Sequence, residues 1–84
     1  MIGEANMIMT IDLNRLSGNL YLVAEYKDLS LSEIARRAGM DRSTIDNIFS
    51  GKSAGKLETF LKIANAMETD DYNKLLEGVV KKNA

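Results

Sequence analysis

Residues 29–51 read LSLSEIARRAGMDRSTIDNIFSG, and their spacing predicts two short helices joined by a tight turn. Ser30 and Glu33 have the S-x-x-E spacing of a capping box. In that box the serine hydroxyl accepts from the Glu33 amide and the glutamate reaches back to the Ser30 N–H. Leu29 before the cap and Ile34 four residues beyond it are the two partners of a hydrophobic staple. Ile34, Ala35 and Ala38 repeat at helical spacing and mark an inward face, with Arg36 and Arg37 turned away. Gly39 follows, where a left-handed residue ends a helix without steric cost. Asp41 is the expected cap of the next helix, its carboxylate on the amides of Ser43 or Thr44. Ile45, Ile48 and Phe49 then form the buried stripe of a helix that Gly51 ends. Arg42, Ser43, Asp46, Asn47 and Ser50 remain outside. Such a short polar set suits the reading of base edges. A plain solvated surface is the alternative, and the tight turn to a preceding helix favours the first reading.

With these residues in place, the segment resembles the helix-turn-helix of the lambda-repressor-like, Cro/XRE-type DNA-binding domains. Gly51-Lys52 is similar to that family's Gly-basic loop, and LETFLKIANAM at 57–67 is similar to its fourth helix. The resemblance spans roughly residues 13–76. It implies an all-α fold, a compact five-helix lambda-repressor-like domain. Residues 12–77 would form the helix-turn-helix domain, with its helix pair at 30–51, an arm at 1–11 and a tail at 78–84.

Eighty-four residues allow one domain with a modest core, and 45% hydrophobic against 27% charged residues fits a folded chain. The absence of Cys and His removes disulfides, the usual zinc sites and His-based catalysis. No cofactor, no metal and no enzymatic activity are expected. No apolar run approaches the about 18 residues that span a bilayer, and the basic-then-apolar start of a signal peptide is missing. The expected location is the cytoplasm, on the nucleoid through DNA. The net charge is −1, unlike a bulk-basic DNA binder. Its distribution is uneven. Residues 31–56 carry five cations against three anions, a net +2, while the first thirty residues carry −2 and residues 57–84 carry −1.

Met7, Met9 and Ile11 alternate with Ile8 and Thr10. Residues 1–11 are therefore either a short β-arm that pairs across a dimer or a frayed leader. Asp12 is the expected cap of a first helix reaching about residue 27. Its stripe is Leu13, Leu16, Leu20 and Val23, and Gly18 interrupts it without breaking the register. Lys52-Ser53-Ala54-Gly55-Lys56 reads as a loop, with glycine where the family usually has proline. Leu57, Phe60, Leu61, Ala64 and Met67 are the expected core side of the following helix. Thr69 or Asp70 should cap the last helix, with Tyr72, Leu75 and Leu76 as its apolar residues. Val79 and Val80 serve either internal packing or a dimer.

In the family the second helix of the pair enters the major groove and the first crosses the backbone. The resemblance thus implies base readout by Arg42, Ser43, Asp46 and Asn47. Arg42 suits guanine O6 and N7, and Asn47 suits adenine N6 and N7. Asp46 either accepts from cytosine N4 or pairs with Arg42 and aims it. Ser32, Thr44, Ser50, Lys52 and Lys56 are the candidates for the DNA backbone, although Thr44 at the third helical position also suits capping. Arg36 and Arg37 either join them or form a solvated basic face. Two positions depart from the family. Leu31 stands where relatives often carry a glutamine that touches phosphate and braces the reading helix. Ala24 and Phe49 occupy the slots of a common arginine–glutamate pair.

The implied function is sequence-specific regulation of transcription by repression. A homodimer would bind an inverted-repeat operator in double-stranded DNA through two successive major grooves. The alternatives are an antitoxin that represses its own operon, and a protein-interaction module with the same fold and no DNA role.

Overall fold

The computed structural model describes residues 8–83. The elements in order are β1 (Ile8–Ile11), α1 (Leu13–Tyr26), α2 (Leu31–Ala38), α3 (Arg42–Phe49), α4 (Leu57–Ala66), α5 (Tyr72–Leu76) and β2 (Val80–Asn83). Five helices surround one core, and the two strands form a ribbon beside it.

Helix α1 starts where Asp12 accepts from the Arg15 amide at 3.0 Å, and it runs unbroken through Gly18. Its buried stripe is Leu16, Leu20 and Ala24. Val23 packs only partly against the core and Leu13 is half-buried, so the stripe keeps Leu16 and Leu20 and turns slightly toward Ala24. Helix α2 begins with Ser30 Oγ accepting from the Glu33 amide at 3.1 Å. The return bond of the capping box is replaced: the Glu33 carboxylate turns to Arg36 and Arg37 instead. Gly39 ends α2 at φ 67°, in the left-handed region. Asp41 holds the N-cap position of α3 without a side-chain hydrogen bond. The Asp41 carbonyl receives the Thr44 and Ile45 amides instead. The cap is therefore positional, not chemical.

α2 packs on α3 and α4, while α1 packs on α3 and α5. Ile34, Ile45, Ile63, Met67, Leu20 and Leu75 are wholly buried. Each of the aliphatic ones contributes about 1.5–3 kcal/mol by leaving water. Phe49 joins them, and the Tyr21 ring meets it edge-on at a centroid distance of 5.1 Å. Ala24 and Phe49 are both buried in this core, with no charge at either position. In α4 the inward residues are Phe60, Ile63, Ala64 and Ala66, with Met67 just beyond. Leu57 and Leu61, expected inside, are 74% and 42% exposed. Ile63 takes the central place because the packing of α4 on α2 rotates its face toward that residue.

Asp71, not Thr69 or Asp70, caps α5 by accepting from the Lys74 amide at 3.1 Å. The Thr69 hydroxyl accepts from the Asp71 amide instead. Only Leu75 of this helix is buried, and Tyr72 and Leu76 are each 42% exposed. The end of α5 is clasped by α1. Asn19 Nδ2 donates to the carbonyls of Leu75 at 2.9 Å and Glu77 at 3.0 Å, and Arg15 Nε donates to that of Glu77 at 3.1 Å.

The expected arm is a strand over residues 8–11, and residues 1–7 lie outside the described part. Its partner is in the same chain. β1 runs antiparallel to β2, with Ile11 opposite Val80 and Thr10 opposite Lys81. Asp12 ties the base of the ribbon, its amide donating to the Val79 carbonyl at 2.7 Å and its carboxylate meeting Lys81 at 3.1 Å. Val79 is buried and Val80 is 54% exposed. One valine therefore serves internal packing, and the other faces outward.

Candidate nucleic-acid interface

The helix pair α2–α3 sets the candidate surface. Burial of Ile45, Ile48 and Phe49 fixes the rotation of α3, so Arg42, Ser43, Asp46 and Asn47 stand together on its exposed side. None of the four is drawn into the core. Thr44 lies half-buried at the edge, its amide donating to the Asp41 carbonyl at 3.2 Å.

Arg42 is the most constrained of these side chains. Its Nε donates to Asp46 Oδ1 at 2.7 Å, and its Nη1 donates to Ser32 Oγ at 2.5 Å. The first bond is the i, i+4 pair expected from the sequence. The second crosses the turn from α3 to α2 and was not legible in the sequence, because it depends on how closely the two helices approach. Both carboxylate and guanidinium remain half-exposed, so a ligand can still reach them.

The backbone candidates divide. Ser32 is exposed on α2 and joined to Arg42. Ser50 turns its hydroxyl inward along the helix, donating to the Asn47 carbonyl at 3.3 Å. Lys52 is exposed immediately after α3, in a turn closed by its amide on the Asn47 carbonyl at 2.9 Å. Gly51 makes that turn at φ 79°, and a Cβ there would lie 2.7 Å from Asn14 Oδ1 of α1. Lys56 is exposed at the N-cap of α4, next to the base of the ribbon. Leu31 packs partly against the core and offers no polar atom.

Arg36 and Arg37 belong to a separate cluster. Hydrogen bonds from Arg36 and Arg37, in that order of weight, hold the Glu33 carboxyl at about 2. The same contact raises the Arg36 guanidinium above its ordinary value. Arg37 reaches further, its Nη1 lying 3.3 Å from the Ala66 carbonyl and 3.5 Å from Glu68 Oε2. It braces α2 against the end of α4. Arg36, with a side chain 71% exposed, keeps its outer face open to solvent.

Among the described residues no group of His, Cys, Asp and Glu is arranged to hold a metal ion. No helix among them is long and apolar enough to cross a membrane. A surface of one arginine aimed by two partners, an exposed asparagine and serine, and flanking lysines can donate to base edges and to phosphates.

Comparison with known proteins points the same way. A helix-turn-helix family model matches residues 25–71, more than half of the chain. Among solved structures, the chain is similar to the restriction-modification controller protein C.AhdI from Aeromonas hydrophila. The two are 28% identical with a TM-score of 0.70, over 76% of this chain and 96% of that one. No curated protein matches the chain.

Proposed function

The chain belongs to the helix-turn-helix family of the Cro/C1 type, and we propose that within it this protein is a repressor that binds an inverted-repeat operator as a homodimer. That it is a DNA-binding transcriptional regulator follows from the family. The observation that carries the finer reading is the exposed, internally braced set on α3. Arg42, Ser43, Asp46 and Asn47 share one face, and Arg42 is held ready by Asp46 and Ser32. In this reading Arg42 and Asn47 read bases, Ser43 supplements them, and Asp46 aims Arg42. Ser32, Lys52 and Lys56 meet the DNA backbone, with Thr44 at the margin of that surface. Ser50 contributes least, since its hydroxyl proton is already used. A single module buries too little surface for tight operator binding. Two copies with reading helices about 34 Å apart would occupy successive major grooves.

Exposed apolar residues support the homodimer. Ile11, Leu57, Leu76 and Val80 rim a shallow hollow of about 180 Å³ between the ribbon and the start of α4. Its floor is Leu16, Phe60 and Val79. Val79 itself, being buried, is excluded from the contact.

Binding to random duplex pools at low and moderate salt, followed by sequencing of what is retained, tests the reading. A palindromic consensus is expected. No enrichment at either salt would remove the operator and leave an interaction module of the same fold. The likeness to a restriction-modification controller protein favours a narrower second reading, control of restriction-modification genes. Retention of genomic fragments upstream of such genes separates it from other operons.

A further inference from the structure

We propose that Ser32 is a positioning residue that joins backbone contact and base readout into one connected set. This inference rests on the assignment of Arg42 as a base reader. Arginine has five N–H donors and no acceptor, so the 2.5 Å contact between Arg42 Nη1 and Ser32 Oγ has the serine oxygen as acceptor. A hydroxyl carries one donor besides its acceptor sites. The Ser32 O–H therefore points to no acceptor among the described residues, on an exposed face of the helix that crosses the DNA backbone. A phosphate oxygen there would take that proton. The same bond would strengthen the serine oxygen as an acceptor for Arg42, because linked hydrogen bonds polarise one another.

On the other side Nε of Arg42 is held by Asp46 at 2.7 Å. Two of the five donors are thus used, and three remain on Nη1 and Nη2 for guanine O6 and N7. Leu31, one residue earlier, packs against the core and cannot supply such a link. The serine provides it from the neighbouring position. Docking on the phosphate and orientation of the arginine then depend on each other, which makes the readout stricter when the register is right.

The experiment is base-resolved selection on random duplexes with the parent chain, Ser32→Ala, Ser32→Thr, Arg42→Ala and the double variant. Ser32 is exposed and alanine is the better helix former, so circular dichroism should show an intact fold. Ser32→Ala should lower discrimination about fivefold, the worth of one hydrogen bond, at the position that Arg42→Ala also flattens. Ser32→Thr should restore it. In the Arg42→Ala background, adding Ser32→Ala should change no base preference further. A uniform loss over all sequences, equal in both backgrounds, would make Ser32 a simple phosphate contact and overturn the proposal. If Arg42→Ala flattens a position that Ser32→Ala leaves intact, this proposal alone falls. If Arg42→Ala changes no position, the assignment of Arg42 falls and this one with it.

Discussion

Arg42 is held by two side chains, from α3 and from α2, before any ligand arrives. Free arginine loses rotamer entropy on binding, up to about 2 kcal/mol for the whole side chain. Here Asp46 and Ser32 hold the guanidinium in place, so part of that loss is already incurred on folding. The pair with Asp46 contributes little to stability, about 0.2–0.5 kcal/mol for an i, i+4 pair on a helix surface, so its value lies in orientation. Arg42→Ala should relax preference at one base position at a cost of about 1–3 kcal/mol. Lys52→Ala should weaken all sequences alike and reduce the salt slope by about 1. A variant profile from the same duplex pools separates the two, and equal binding of Arg42→Ala and parent to the preferred site would refute the role given to Arg42. Which polar residues share the exposed face of α3 was legible from the sequence, because the stripe of Ile45, Ile48 and Phe49 sets the rotation of the helix. The Ser32 partner was not legible. It lies ten positions away, and only the crossing of two helices brings it within reach.

The boundaries of α2 were legible because local signals set both of them. Ser30 and Gly39 act through bonds within a few residues, and the structure uses both. Gly39 gives a paired test. Its φ of 67° suits glycine, and a Cβ there would meet nothing within 4 Å. Gly39→Ala should therefore lose about 1–2 kcal/mol from backbone strain alone. Gly18, inside α1 with equally open space around it, should gain about 0.5–1 kcal/mol on the same substitution. Urea unfolding of the two variants should move in opposite directions, and a loss at Gly18 would contradict the account. The clasp on α2 gives a test in pH. The Glu33 carboxyl stands at about 2 in the folded chain against an ordinary 4.5, through Arg36 and then Arg37. An unfolded chain then binds more protons between those values, so the stability contributed by Glu33 is complete above 4.5 and lost as pH falls toward 2. Parent and Glu33→Gln should differ in melting temperature above pH 4.5 and converge below it. A difference that stays constant to pH 2 would exclude the clasp as its source. Other element features were illegible for a physical reason. In α4 the apolar residues Leu57, Phe60, Leu61, Ile63, Ala64 and Ala66 spread over more than half of the helix circumference. Periodicity alone cannot orient such a helix, and contact with α2 chooses Ile63 over Leu57 and Leu61.

At the scale of the whole molecule, strand pairing joins residues 8–11 to residues 80–83. The alternation along residues 7–11 marked one of these strands, but nothing local marked its partner in the same chain. The pairing places Ile11 and Val80 beside Leu57 and Leu76, so the apolar rim is assembled from three separated stretches of the chain. The net charge of −1 limits what electrostatics can contribute to DNA affinity. Each neutralised phosphate adds about −0.9 to the slope of log affinity against log salt, so the proposed contacts of Lys52 and Lys56 predict roughly −1.8 per protomer and −3.6 for a dimer. So shallow a slope leaves tight binding to depend on joining two reading helices. Leu57→Ser tests that dependence. Leu57 is 74% exposed at the first position of α4, and a surface change of this kind alters monomer stability by no more than about 0.5 kcal/mol. If two copies meet through the rim, the variant should sediment as a monomer at concentrations where the parent is dimeric. Its operator affinity should fall, and its salt slope should drop to about half that of the parent. A variant that dimerises like the parent would move the interface away from Leu57. A parent that stays monomeric at every dilution, yet binds a palindrome tightly, would show that DNA itself brings the two copies together.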